Sequence, residues 1–396
     1  WLAAVAAAGC AGGPAGDGDG GLGSGGGRWR ALPLVDDLSS PSRAVYHKGN
    51  DRVSGIYFAA ADRGLVVSQG DGETAARGGA VFTARADAIT GVAFSGDGTG
   101  LRLLGPIDFL GVEPTPTGYV ALAYAADVIA SRDDGKTFQI EHNGPGDGAG
   151  GIERVLAARV TATGTTLVRA TGVVSVAAAA PGEATVYTDV WAPEAVPPIP
   201  DPVPASQCAE GPRGSGAPAT RYGAHVSADR AFVAYTANPD HQPIVCTSDD
   251  GGRWFAPHPL TVPDGTADAH PGGVVFTSRA HGLVWFAAPT AGAYVQYTTD
   301  GGVRWMAARL PAGLDAIELP AAFFAPDGAH GWLAGYDHTA RAALLLATAD
   351  GGATWTRVDD LGSAVAAAGG DKLYTGFALD ADHLWVGGAR GLVLHN

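Results

Sequence analysis

Residues 348–355 read TADGGATW, and the same eight-residue pattern stands at 298–305 as TTDGGVRW, at 247–254 as TSDDGGRW and at 131–138 as SRDDGKTF. Each copy sets a hydroxyl residue first, Asp third, Gly fifth and an aromatic last: Ser131, Asp133, Gly135 and Phe138; Thr247, Asp249, Gly251 and Trp254; Thr298, Asp300, Gly302 and Trp305; Thr348, Asp350, Gly352 and Trp355. Composition alone does not return four residue types at one spacing, so the pattern marks a repeated structural unit. Its chemistry is that of a chain reversal between antiparallel strands. A short Asp side chain accepts hydrogen bonds from the turn's own backbone N–H groups, which no ladder partner reaches. Gly takes the positive φ that a residue with a Cβ adopts only under strain. The aromatic opens the next strand and packs its face beneath the turn.

Upstream of the turn lies a second pattern, an apolar strand, a short turn and another apolar strand. It reads VVFTSRAHGLVWFAA at 274–288, AAFFAPDGAHGWLAGY at 321–336 and YTGFALDADHLWVGG at 374–388, with diverged copies at 54–70, 107–124, 153–170 and 222–237. Seven hairpins of this kind predict the two inner strands of seven blades, the third strand entering the turn motif and the fourth leaving it. The spacing agrees, since Trp254 to Trp305 is 51 residues and Trp305 to Trp355 is 50. Degenerate turns are expected near 83–90 and near Ser175 to Pro181. The last repeat stops at GLVLHN, 391–396, where its own turn and fourth strand should follow, while RWRALPL at 28–34 reads as the outer strand that follows a turn. The N-terminal strand is therefore expected to complete the last blade and leave no free sheet edge. The expected fold class is all-β, a seven-bladed β-propeller of four-stranded antiparallel blades.

These motifs resemble the Asp-box, or bacterial neuraminidase (BNR), repeat of propellers in the sialidase-like superfamily. The resemblance implies that the boxes are structural and lie on the outer rim, away from any active site. The stretch GWLAGYDHTARAALLLATADGGATW at 331–355 is similar to the repeat of photosystem II stability and assembly factor-like propellers, and that likeness extends over most of residues 28–396. It implies a noncatalytic binding propeller.

Composition points the same way. With 396 residues, 9 Trp and 46% hydrophobic content the chain can bury a large core, and 60 Gly with 26 Pro favour many tight turns over long helices. A formal charge of −15 without clustered Lys and Arg excludes a surface built to neutralise nucleic-acid phosphates. No nucleic-acid partner is expected.

The first ten residues, WLAAVAAAGC, resemble the tail of a bacterial lipoprotein signal peptide ending at a lipidated Cys10, with Ala7 where that motif usually has Leu. Residues 11–27 are almost wholly Gly, Ala, Ser and Asp and read as a flexible tether, Asp17 and Asp19 included. The run is too short to span a bilayer, so membrane contact is expected through the lipid anchor only. Ala11 after Cys10 implies the outer membrane in a Gram-negative envelope. If Cys10 carries lipid, Cys208 and Cys246 remain to form a disulfide, 38 residues apart, a closure of about 4 kcal/mol in the loop-entropy account. The alternative is two reduced, buried thiols. Residues 192–220 contain PPIPDPVP and read as a Pro-rich insertion stapled by Cys208. The domain layout is thus 1–10 signal remnant, 11–27 tether and 28–396 propeller.

Catalytic signatures are missing: no Gly-x-Ser-x-Gly elbow, no His-Glu-x-x-His and no phosphate-binding Gly-x-x-x-x-Gly-Lys-Ser/Thr loop, since Gly135-Lys136-Thr137 of the turn motif has Ala130 where that loop needs Gly. His281 and His330 hold the same place in two repeats, before the second strand, where turn capping is the expected role rather than metal ligation. Asp62, Arg63, Asp229 and Arg230 read as solvated turn residues. No catalytic residue, metal or cofactor is expected. A sialidase-like glycoside hydrolase is the enzymatic alternative, and it would need paired carboxylates across the channel mouth. The Arg-Ile-Pro that the sialidase resemblance calls for is absent, Arg30-Ala31-Leu32-Pro33 standing in its place. The reading favoured is a monomeric, noncatalytic scaffold that binds a protein or a glycan at the cell envelope.

Overall fold

The computed structural model describes residues 29–32, 34–35, 52–69, 81–85, 89–91, 109–115, 118–123, 128–131, 139–142, 155–161, 164–169, 172–177, 187–191, 221–226, 231–236, 243–249, 256–261, 271–288, 292–367 and 371–396. Strands β1 (Arg30–Ala31) and β2 (Leu34–Val35) come first. A first sheet follows from β3 (Arg52–Ala60), β4 (Arg63–Gln69), β5 (Val81–Arg85) and β6 (Ile89–Gly91), and a second from β7 (Phe109–Thr115), β8 (Gly118–Ala123), β9 (Val128–Ser131) and β10 (Gln139–His142). The third comprises β11 (Val155–Thr161), β12 (Gly164–Arg169), β13 (Gly172–Ala177) and β14 (Tyr187–Trp191), and the fourth β15 (Arg221–Val226), β16 (Ala231–Thr236), β17 (Pro243–Ser248) and β18 (Ala256–Pro259). The fifth is β19 (Pro271–Phe276), β20 (Gly282–Ala288), β21 (Gly292–Thr298) and β22 (Met306–Ala307), and the sixth β23 (Ile317–Phe324), β24 (Gly331–Asp337), β25 (Ala342–Thr348) and β26 (Thr356–Arg357). A short helix α1 (Gly362–Ala367) precedes the last three strands, β27 (Leu373–Ala378), β28 (Leu384–Gly388) and β29 (Val393–His395).

Within each sheet, strands adjacent in sequence pair antiparallel. Among the described residues, the seven hairpins read from the sequence coincide with the first two strands of seven sheets. Two ladders connect distant parts of the chain. β1 pairs antiparallel with β29, Arg30 opposite His395 and Ala31 opposite Leu394, and the Leu32 N–H donates to the Val393 carbonyl at 2.9 Å. β2 runs on to the other side and pairs parallel with β6, Leu34 opposite Ile89 and Val35 opposite Thr90. The sequence presents 28–34 as one outer strand. β1 and β2 instead go to two different sheets.

Neighbouring sheets touch through their first strands: β3 lies beside β7, β7 beside β11, β11 beside β15, β15 beside β19, β19 beside β23, β23 beside β27, and β27 beside β3. Large aromatics fill these seams. Phe58 of β3 stacks on Trp385 of β28 with ring centroids 3.7 Å apart. Trp285 of β20 donates its indole N–H to the Leu319 carbonyl of β23 at 2.8 Å, satisfying a polar atom that burial would otherwise strand. Helix α1 closes one end of a core cluster in which Leu361, Ala364 and Val365 pack with Trp29, Leu373, Leu392 and Leu394. Among the described residues, no helix is long and apolar enough to cross a membrane.

Candidate functional site

The sheets present two ends. One carries the turns from first to second strand and from third to fourth; the other carries the starts of the first strands and the ends of the second.

At the former end the turn motif is built as its residue types require. The Thr298 hydroxyl accepts from the N–H groups of Gly302 (3.0 Å) and Asp300 (3.3 Å) and donates to Asp300 Oδ1 (2.9 Å). Asp300 in turn accepts from the Arg304 N–H and from its guanidinium, both at 2.9 Å, and these two bonds hold its carboxyl down to about 2. Thr348 and Asp350 repeat the arrangement, with Thr354 giving both its N–H (2.9 Å) and its hydroxyl (2.6 Å) to Asp350. Burial opposes ionisation of Asp350, but its hydrogen bonds outweigh it and the carboxyl lies below its ordinary value. Gly302 and Gly352 take φ of +91° and +98°. A Cβ on Gly352 would also lie 2.7 Å from Leu283 of the preceding sheet.

The motif therefore joins sheets as well as strands. Arg309, after β22, bridges in parallel to Thr354, giving its N–H to the Ala353 carbonyl and taking the Trp355 N–H, at 2.8 and 2.9 Å. The first-to-second-strand turns at the same end are closed by side chains. His281 pairs with the Ser278 hydroxyl at 3.1 Å and His330 with Asp327 at 2.5 Å. His383, which the sequence reading did not single out, does the same with Asp380 at 2.9 Å. No group of three or more His, Cys, Asp or Glu placed to hold a metal occurs among the described residues.

The opposite end has a feature that the sequence does not announce. In all seven sheets the register between first and second strand shifts near the start of the first strand: at Val53/Gly55, Phe109/Gly111, Val155/Ala157, Arg221/Gly223, Pro271/Gly273, Glu318/Ala321 and Leu373/Thr375. A bulge bends its strand and re-aims the side chains beside it, and bulges gather next to functional sites. Gly335 lets the sixth sheet close around its bulge, because a Cβ there would stand 1.8 Å from the Glu318 carbonyl oxygen; Gly388 does so in the seventh, 2.2 Å from that of Lys372.

These bulges gather one cluster from three sheets. Lys372 Nζ lies 3.3 Å from Glu318 Oε2 and 4.8 Å from the Tyr336 ring centroid. His338 Nε2 is 3.6 Å from the same Glu318 oxygen, and its ring meets Tyr336 edge-on at 4.9 Å. Arg52, at the start of β3, sits over the Tyr374 ring at 5.3 Å, and its backbone bridges to Ala389. Burial works against the Lys372 charge, yet Glu318 more than offsets it and raises the ammonium's pKa. Burial likewise raises the Tyr374 phenol. All six side chains remain partly or fully exposed. Alternating aromatic faces and cations, with a carboxylate and an imidazole at one edge, can stack on planar groups and hydrogen-bond an extended ligand.

No family model matches this chain, and no curated protein matches it. Solved structures do. YCF48 from Cyanidioschyzon merolae is 14% identical with a TM-score of 0.58, over 93% of this chain and 98% of that one. A structure of YCF48 bound to D1 peptide is 12% identical with a TM-score of 0.59, over 93% and 96%. The fold is a β-propeller. A GH74 xyloglucanase from Xanthomonas campestris is also similar, at 17% identity and a TM-score of 0.55, but its match spans 92% of this chain and 53% of the enzyme.

In this propeller the turn-motif residues that are described lie away from the Tyr-cation cluster. Thr298, Asp300, Gly302, Trp305, Thr348, Asp350, Gly352 and Trp355 occupy the turn end. Thr247 stands next to last in β17 with its hydroxyl 3.0 Å from His258 Nε2, and Asp249, just after the strand, is exposed. Ser131 ends β9. Cys246 is disulfide-bonded and 1% exposed. Cys10, Asp133, Gly135, Phe138, Cys208, Gly251 and Trp254, with the tether and the Pro-rich insertion, lie outside the described residues. The cluster residues were not candidates in sequence. Their one signal is a break in the repeat: where the fifth sheet's second strand ends in Ala287 and Ala288, the sixth has Tyr336 and Asp337, followed by His338.

Proposed function

We propose that this chain is a noncatalytic protein-binding scaffold whose working face is the bulged end of the propeller. The observation that carries the reading is the cluster of Tyr336, His338, Lys372, Tyr374, Arg52 and Glu318 drawn from three sheets. Rigid strands position these groups, and the turn motifs, which we read as Asp-boxes, keep to the other end. The similar fold of YCF48 bound to D1 peptide supports peptide recognition as a use to which such a face can be put. We also propose that the seven sheets are seven blades of one closed ring, supported by the β1–β29 ladder and by the succession of first strands from β3 round to β27 and back.

The envelope address belongs to the same proposal: Cys10 carries lipid, residues 11–27 tether the ring to a bacterial outer membrane, and Cys208 is the partner of Cys246. Peptide mapping of unreduced protein tests the pairing, and Cys10→Ser should move the protein from the membrane to the soluble fraction.

A displayed random-peptide library selected on the protein, with binding then measured by calorimetry, tests the working face. Tyr336→Ala with Tyr374→Ala should weaken selected peptides by at least about tenfold, as expected for loss of aromatic anchors, with an unchanged melting temperature. Selected peptides indifferent to these changes would reject the face. Turnover of fluorogenic glycosides that Glu318→Gln abolishes would reject the noncatalytic reading in favour of a hydrolase.

A further inference from the structure

The ladder between β1 and β29 contains one ionisable ring, that of His395. His395 faces Arg30 across that ladder, and the Arg30 guanidinium stands 3.4 Å from His395 Nδ1. Guanidinium has donors only, so Nδ1 must be the acceptor and the ring's proton sits on Nε2. Nε2 is buried and meets no partner among the described residues. One face of the imidazole stacks on Trp385, with centroids 4.5 Å apart and planes 12° apart. The His383 ring lies beyond at 6.4 Å.

We propose that His395 makes the junction of the two chain ends a pH-sensitive latch: the neutral imidazole accepts from Arg30 and seats β1, whereas the imidazolium has no lone pair to offer, faces a fixed cation and loosens β1. Among the described residues, the charged and titratable groups that face the ring are Arg30 from β1 and His383 from the turn before β28. Asp380 in that turn is hydrogen-bonded to His383, and Asp382 is exposed. β28 itself, LWVGG, has no titratable side chain.

The electrostatics agree with the geometry. Burial, then Arg30, then His383 push the His395 imidazole down from 6.5 to about 4. A released strand would carry His395 at its ordinary value, so between those two limits the open form binds a proton that the closed form refuses. Closure is therefore fully favoured above pH 6.5 and weakens as the pH falls toward about 4. Trp29 and Leu32, both buried on either side of β1, oppose release, so the latch acts on the opening equilibrium and leaves the rest of the propeller folded.

Hydrogen exchange of the intact chain, corrected for the intrinsic pH dependence of exchange, reads this directly at Leu32, whose N–H is bonded to Val393. Its protection should fall by at least about tenfold between about pH 7 and about pH 4.5, while that of β24 holds. His395→Asn should remove the pH dependence. Arg30→Gln, which relieves the repulsion, should move the midpoint upward and remains readable if the first variant does not fold. Protection at Leu32 that ignores pH, a fall that persists in His395→Asn, or a midpoint unmoved by Arg30→Gln would each overturn the latch.

Discussion

Asp300 and Asp350 do more than punctuate a turn. Each carboxylate collects hydrogen bonds from the residue four places on, and each partner Thr hydroxyl both donates to the carboxylate and accepts from the glycine N–H. Removing one member of such a network leaves its partners in the turn under-satisfied. Because the folded Asp300 carboxyl is held to about 2, its contribution is present above the ordinary value of 3.8 and is lost as the pH falls through about 2. Urea unfolding should therefore show Asp300→Asn less stable than the parent at neutral pH, with the gap narrowing in strong acid; a pH-independent gap would contradict this. Gly352→Ala tests the backbone. A φ of +98° and a Leu283 methyl 2.7 Å away should cost of order 1–3 kcal/mol by the same assay. These residues were legible from sequence because hydroxyl, Asp and Gly at that fixed spacing spell a hairpin corner and little else. Trp355 was legible too, although its indole bond to the Gly352 carbonyl at 2.9 Å was not.

At the scale of strands, the apolar repeats disclosed the first two strands of every sheet, because alternation and turn residues are local signals. The bulges were not disclosed. They arise from two strands fitted together, and only glycines such as Gly335 and Gly388 hint at them. Lys372 and Glu318 meet across two sheets although 54 residues apart, a contact that no window of sequence contains. Gly335→Ala should force the Glu318 carbonyl out of the bulge, lowering the melting temperature and weakening peptide binding together, as read by calorimetry on the same sample. In contrast, Lys372→Met should spare stability and weaken binding alone. Asp337 is a separate case: its carboxylate is buried, takes the Arg357 guanidinium at 2.6 Å and caps the Ala340 N–H at 2.8 Å. Asp337→Ala should destabilise the sixth sheet by about 1–3 kcal/mol by urea unfolding, the cost of stranding its buried partners.

For the molecule as a whole, the pairing of β1 with β29 was legible from RWRALPL at 28–34, which reads as a strand that follows a turn. The crossing of β2 into the first sheet was not, because a two-residue parallel strand carries no pattern of its own. Trp29 lies in the core shared with Leu394, Leu392 and helix α1, while Leu32 packs with Phe58, Trp385 and Val393. The N-terminal segment thus bonds to one sheet, packs between two and pairs onto a third stretch of ladder at β6. Paired with β29, so short a strand is flanked by two large buried side chains, Trp29 and Leu32. The direct measurement is a disulfide trap, Ala31→Cys with Leu394→Cys, since these residues are opposed in the β1–β29 ladder and opposed Cα atoms lie within disulfide range. A closed ring predicts an intramolecular 31–394 cross-link in peptide mapping, formed without loss of folding and raising the melting temperature. Failure of the two cysteines to join within one chain, or cross-linking only between chains, would contradict it.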